Sequence, residues 1–308
     1  MALSAVIDLG TNTFRLLIAE VTTDGIKQIY SESHIARLGE GFFQEKRFRP
    51  LAMERAMEIL VSFKKGLSRY PIQHLSVVGT SAFREAYNRD DFLLSIKDTV
   101  GFSVEVIGGD VEAYYTFLGA NLILQNSSTM LLVDIGGGST EFVVAEGGTP
   151  KRMISTPLGV VSLTERHLRH DPTTPEECDA LQKEITKTLL PLVTEIPKNA
   201  LLAGTAGAVT TLAAMDQKIT CYDPDKINGY RLSKAAISAL FAELLPLSRD
   251  ARCLIPGLKK GREDLIISGM MILLTLMELY HFDSVTVSDY GLREGVLIDR
   301  YRKEGERV

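Results

Sequence analysis

The chain has little of what would steer it toward several functional classes. Its 308 residues contain no tryptophan, three cysteines and five histidines. Cys178, Cys221 and Cys253 are odd in number, far apart and without metal-ligand spacing. They read as reduced thiols of a cytoplasmic protein, not as a disulfide frame or a zinc site. Basic charge is not in excess: 34 Lys and Arg stand against 39 Asp and Glu, a net charge of -5. That excludes general binding of a nucleic-acid polymer, which needs a strongly basic surface. The most apolar segment, 265–280, is interrupted by Ser268, Gly269, Thr275 and Glu278. It falls short of the roughly 20 residues of a membrane span and reads as a buried helix. "MALSAVIDLG" has no basic n-region, and its apolar stretch runs straight into Asp8, so neither a leader nor a membrane is expected. Pro/Ser-rich linkers and low-complexity tracts are missing too.

What is present is a repeat. A shift of 126 positions (134 − 8) lays "AVIDLGTNTFRLLIAE" (5–20) over "LLVDIGGGSTEFVVAE" (131–146) without a gap. Apolar strand, Asp, apolar residue, Gly, small polar turn and second apolar strand all coincide. The period is far too long for a solenoid and matches a domain, so the chain reads as two related halves. In a dinucleotide-binding or P-loop motif the glycine turn would open a helix. Here it opens "FRLLIAEV" and "EFVVAE", rich in β-branched and aliphatic residues and closed by "TTDG" and "GGTP" turns. Each motif is therefore a β-hairpin with a polar tip.

Glycines let backbone N–H groups approach an anion, and small hydroxyls add donors with little bulk, so each tip reads as a phosphate nest. The Asp ending each first strand, Asp8 or Asp134, would repel phosphate directly but suits Mg²⁺, which takes carboxylate, water and phosphate oxygens together. Two such tips facing each other would grip a phosphate chain from both sides.

Elsewhere, helical spacing of apolar residues predicts helices over 50–70 and 90–101, and another from Asp110, placed as its N-cap. In 173–196, Thr174 reads as N-cap, Pro175 as first-turn proline and Glu177 as capping-box partner. Residues 201–215 read as strand, glycine turn and helix, and a closing helix is expected over about 292–305. Alternating strands and helices make an α/β protein, with a boundary between its halves near 121–129. The pair His167 and His170 reads as a solvated helix end, and the basic clusters 63–66 and 258–264 as solvated faces, the second a possible electrostatic guide for a long polyanion.

With these segments placed, the sequence resembles the exopolyphosphatase/guanosine pentaphosphate phosphatase family of the acetate-kinase, sugar-kinase, Hsp70 and actin superfamily. The matching stretches are "DLGTNTFRLLIAE", "GTSAFREA" (79–86), "GGDVEAYYTFLGA" (108–120), "DIGGGSTE" (134–141), "LGVVSLTERH" (158–167), "GTAGAVTTLAA" (204–214) and "VSDYGLREGVL" (287–297). They fall in family order over nearly the whole chain. The resemblance implies two ribonuclease H-like domains of the actin-like ATPase type facing across a cleft, residues 1–124 and 125–308, with the closing helix able to pack on the first. It departs at Val111, where the family usually has an acid, but keeps Glu112.

The implied reaction is Mg²⁺-assisted release of terminal orthophosphate from inorganic polyphosphate, guanosine pentaphosphate or both, by a cytoplasmic monomer or homodimer. Phosphoryl transfer asks mainly for positioning, charge neutralisation and one group on the attacking water. The resemblance identifies Glu112 with that group. Arg84 would give bidentate contacts to phosphate, with Ser81 in the same motif. Glu141 stands where the first hairpin has Arg15, which suggests that Arg15 neutralises phosphate while Glu141 and Asp134, with Asp8 near them, hold the metal or align water. Asn12, Thr13, Gly136, Gly137, Gly138, Ser139, Gly204, Thr205 and Gly207 supply further donors, the last group at a helix N-terminus. A small-molecule kinase of the same superfamily is the alternative reading. An ATP-driven binding protein of chaperone or actin type is a more distant one.

Overall fold

The computed structural model describes residues 3–23, 25–125, 129–197 and 200–305. Asp24 of the expected first turn and residues 126–128 of the expected boundary lie outside them. The first half runs β1 (Leu3–Leu9), β2 (Thr13–Thr22), β3 (Gly25–Ile35), α1 (Phe42–Glu45), α2 (Pro50–Leu67), β4 (Ile72–Gly79), α3 (Ser81–Glu85), α4 (Arg89–Val100), β5 (Glu105–Val106) and α5 (Gly109–Leu124). There follow β6 (Met130–Ile135), β7 (Thr140–Glu146), β8 (Thr149–Thr156), α6 (Val160–His167), α7 (Pro175–Leu189), β9 (Leu201–Thr205), α8 (Ala206–Asp216) and α9 (Pro224–Ile227). The chain ends with β10 (Arg231–Ser233), α10 (Lys234–Leu244), α11 (Arg249–Arg252), α12 (Ile266–Leu279), β11 (Ser284–Val287) and α13 (Leu292–Gly305). No helix among the described residues is long and apolar enough to cross a membrane.

The chain forms two compact units, residues 1–122 with 291–308, and residues 123–290. The sheet of the first has the order β3-β2-β1-β4-β5, that of the second β8-β7-β6-β9-β11 with β10 added at the edge. In both, the first three strands form an antiparallel meander and the next two run parallel to the first. The repeat seen in the hairpins thus extends to the whole sheet, and each unit is a ribonuclease H-like α/β domain of the actin-like ATPase type.

Strand periodicity sets what each face carries. In β1, Ala5, Ile7 and Leu9 pack under α2 and α4 with Ala56, Leu60, Phe63 and Ile96. Val6 points the other way and meets Leu17, Ala19, Val78, Ile107 and, from α13, Val296 and Leu297. Burying side chains of this size contributes about 1.5–3 kcal/mol each, so the C-terminal helix is a structural layer of the first unit. Asp8 and Arg15 share the parity of Val6 and Leu17. They therefore sit on the α5/α13 face, at the carboxyl edge of the sheet.

Local signals hold where they are purely local. Thr174 accepts from the Glu177 amide and Glu177 reaches back to the Thr174 amide, a complete capping box with Pro175 in the first turn. Asp110 departs from expectation: α5 already starts at Gly109, which puts Asp110 inside the first turn. The strand before it, β5, has only two residues. Of the pair read as a solvated helix end, His167 does end α6 but is largely covered, with its ring 2.5 Å from Glu184, whereas His170 is exposed, 2.9 Å from Glu177.

Candidate active site

In the first unit the site residues gather where β1, β4 and β5 end, the edge at which open α/β sheets bind ligands. Asp8 and Arg15 lie directly opposite each other on β1 and β2, with Arg15 Nη1 4.0 Å from Asp8 Oδ2. Asp8 is only 6% exposed. The tip between them is strapped from outside: the amides of Ala36 and Arg37 donate to the Asn12 carbonyl, and that of Gly39 to the Thr11 carbonyl. Asn12 and Thr13 are thereby fixed in backbone, whatever their side chains meet.

Beside this tip, the Thr80 amide donates to Leu9 O at 3.4 Å and the Ile107 amide to Gly79 O at 3.1 Å. The chain turns from β4 into α3 at Ser81, which is buried, and α3 presents Arg84. Arg84 Nη1 donates to Ile107 O at 3.2 Å and to Glu112 Oε2 at 2.5 Å. Glu112 stands in the first turn of α5 and is 8% exposed. It is therefore no ordinary surface acid placed by the helix dipole. Two residues assigned separate roles from the sequence touch each other here.

The second unit repeats the backbone and changes the charges. Asp134 and Glu141 are directly opposite on β6 and β7, the same spacing as Asp8 and Arg15. Glu141 is buried and accepts from Ser155 Oγ at 2.7 Å, on β8 opposite it. The strap is again present, with the amides of Val160 and Val161 donating to the carbonyls of Gly136 and Gly137. A Cβ on Gly159 would run into the Gly137 and Gly138 backbone, so only glycine lets α6 start against the tip. Gly136 to Ser139 form that tip, and Ser139 is buried.

The third loop, Gly204 to Gly207, leads from β9 into α8. Ser288 donates its amide to Gly204 O at 2.9 Å, and Thr205 Oγ1 donates to Tyr290 O at 3.1 Å. Ala206 takes a left-handed φ of 66° between them, a strain of about 1 kcal/mol or more of the kind concentrated at functional turns. A Cβ on Gly207 would collide with the Arg262 guanidinium, which rests against the start of α8. Arg262 also donates through Nη1 to Thr211 Oγ1 at 3.2 Å. This corrects the reading of 258–264 as a solvated face: Lys259 and Lys260 are exposed, whereas Arg262 is buried. A guanidinium at a helix N-terminus beside a glycine loop is a positive site for an anion.

The structure thus brings Arg84 to Glu112, Asp8 to Arg15, and Asp134 to Glu141. Among the described residues no group of three or more His, Cys, Asp or Glu gathers at a metal-binding distance. The carboxylate pair of the second hairpin still fits Mg²⁺, which completes an octahedron with water and phosphate oxygens and seldom needs an all-protein cage. Asp8 lies in the other unit, against Arg15. Sequence reasoning missed Ser155 and Arg262. Register opposite Glu141 would have found Ser155; no sequence signal separated Arg262 from its charged neighbours.

Residues 17–304 match the Ppx/GppA phosphatase family. The chain is 33% identical to exopolyphosphatase 2 of Mycobacterium tuberculosis, over 96% of this chain and 97% of that protein. It is 29% identical to a guanosine-5'-triphosphate,3'-diphosphate pyrophosphatase of Vibrio atlanticus, over 99% of this chain and 61% of that longer one. A crystal structure of the Aquifex aeolicus member of the Ppx/GppA family superposes with a TM-score of 0.83 at 32% identity, covering 98% of each chain.

Proposed function

The chain belongs to the Ppx/GppA phosphatase family and is a phosphohydrolase, and from that premise we propose that it releases terminal orthophosphate from inorganic polyphosphate, guanosine pentaphosphate or both. The observation that carries the site assignment is the Arg84–Glu112 pair at the carboxyl edge of the first sheet, in which a half-buried arginine holds a buried carboxylate. A buried carboxylate anchored by arginine is positioned to take a proton from water as the water attacks the terminal phosphorus. The bridging P–O bond then breaks, and the shortened chain keeps the bridging oxygen. Arg84 and Arg15 offer planar donors to the non-bridging oxygens, and Asn12, Thr13, Ser81, Gly136 to Ser139 and Gly204 to Gly207 offer neutral ones. Arg262 joins them as a cation at the third loop.

Asp134 and Glu141 would hold Mg²⁺, which supplies charge neutralisation on the phosphate oxygens. Ser155 fixes the orientation of Glu141 in that role. The chain would act in the cytoplasm as a monomer or homodimer.

The test is orthophosphate release with Mg²⁺ from long polyphosphate, guanosine pentaphosphate and ATP in parallel. Glu112→Ala and Glu112→Gln are expected to fold and to lose about 10²–10⁴-fold in rate, the scale of a lost general base. Near-normal turnover in Glu112→Gln would remove it from the mechanism. No release from any of the three by the unmodified chain would overturn the reading.

A further inference from the structure

One aromatic side chain close to the third loop stands half in water. Tyr222 is 51% exposed, yet its hydroxyl donates to Asp289 Oδ1. Its tip is tied down while half its surface stays in water. The segment that carries it is well anchored. Ile219 donates its amide to Ala214 O at 2.8 Å, Gly229 its amide to Val287 O at 2.8 Å, and Asn228 Oδ1 accepts from the Asp289 amide at 2.7 Å. Tyr230 Oη donates to Asp216 Oδ2 at 2.6 Å, a bond that with burial pushes the phenol up to about 12, so it stays a donor at any physiological pH. The ring position of Tyr222 is thus fixed in advance, which lowers the entropy lost when something stacks on it.

Its location says what that something is. Asp289 lies between Ser288, bonded to Gly204 O, and Tyr290, whose carbonyl accepts from Thr205. The half-buried carboxylate is therefore one residue from the loop assigned to phosphate, at the carboxyl end of β11. An aromatic face next to a carboxylate suits a planar base with two adjacent donors on its edge. Guanine has them, N1–H and the exocyclic amine, and both can point at one carboxylate. Adenine offers an acceptor at N1 and would be repelled.

We propose that Tyr222 and Asp289 form a base subsite for a guanine nucleotide, with Tyr222 as stacking platform and Asp289 as reader of the guanine edge. The proposal rests on the phosphatase reading and deepens it. It gives this chain a means of holding a guanosine phosphate that plays no part in polyphosphate cleavage.

The experiment measures kcat/KM for guanosine pentaphosphate and for polyphosphate with the unmodified chain, Tyr222→Ala, Tyr222→Phe and Asp289→Asn. Binding of GDP and ADP is followed in parallel by calorimetry. Loss of the stacking face should cost guanosine pentaphosphate about tenfold or more while polyphosphate turnover stays within about twofold. Asp289→Asn should lower the preference for GDP over ADP by about tenfold or more. Tyr222→Phe keeps the face and should keep most of the effect, which separates stacking from the hydroxyl bond. Equal losses on both substrates would make Tyr222 structural and overturn the subsite. So would polyphosphate turnover by a chain that neither binds GDP nor cleaves guanosine pentaphosphate. GDP binding that depends on Tyr222, without orthophosphate release from any substrate, would instead sustain the subsite and sink the phosphatase reading.

Discussion

Asp8 and Asp134 end equivalent strands of equivalent sheets, and each faces the residue seven positions on. In the first unit that residue is Arg15, in the second Glu141. Backbone, register and strap are shared; the sum of charge is not. The first tip is a neutral pair, while the second sets two carboxylates opposite each other, one of them buried. Directly opposed side chains have Cβ atoms about 5 Å apart, so two ionised carboxylates there repel each other. A fold does not keep such a pair for stability. On the function proposed here, the duplicated hairpin has diverged into a tip that would bind the anion with its own cation, Arg15, and a tip that would recruit one.

The sharpest way to break this comparison is to remove one charge from each tip. Glu141→Gln keeps the bond from Ser155 and should lower orthophosphate release by about 10²-fold or more. Without Mg²⁺ it should leave the melting temperature unchanged or higher, because a like-charge contact has gone. Arg15→Gln should act in the opposite sense on stability, costing up to about 1 kcal/mol by removing the positive charge opposite Asp8. Its kinetic effect should be smaller, about tenfold, and mainly in KM. Melting temperatures that move together in the two variants would show that the tips are electrically alike after all.

The straps give a second, smaller contrast. A Cβ on Gly159 meets backbone of Gly137 and Gly138, which cannot move without the tip, whereas a Cβ on Gly39 meets chiefly the Thr11 methyl. Gly159→Ala should therefore destabilise by about 3 kcal/mol and Gly39→Ala by nearer 1 kcal/mol, measured by urea denaturation. Equal costs would mean that the two straps are equally yielding.

What the sequence showed plainly was whatever repeats or is local. The hairpins were legible because period-2 apolar runs flank glycine-rich tips, and the Thr174 capping box because its members are three residues apart. The Arg84–Glu112 contact was not, since parallel strands β4 and β5 bring together residues 28 positions apart. Arg262 was hidden for a different reason. It belongs to a run of charges whose two lysines are exposed, and its place against the start of α8 is open because Gly207 has no side chain to exclude it. Asp110 looked like a cap because a short acid stands just before the helical run, yet Gly109 is already helical.

Acid unfolding is the natural probe of tips that differ in carboxylates, and Glu177 stands in its way. Burial alone would raise its carboxyl. That is outweighed by bonds from the Thr174 amide at 3.1 Å, the His170 ring at 2.9 Å, and the Arg169 and His170 amides at 2.7 and 3.1 Å, which bring it down to about 2. A folded value below the unfolded 4.5 contributes stability that is complete above about pH 5 and lost as pH falls toward 2. The unmodified chain should show that slope whatever its hairpins do. Glu177→Gln should flatten it while costing only about 1 kcal/mol at pH 7, since the amide keeps part of the cap. In the Glu177→Gln background, the acid limb of Glu141→Gln against that of Arg15→Gln then reports the hairpin charges alone. A slope unchanged by Glu177→Gln would move the acid sensitivity to other carboxyls held below their ordinary value, such as Glu184 beside His167 and Arg166.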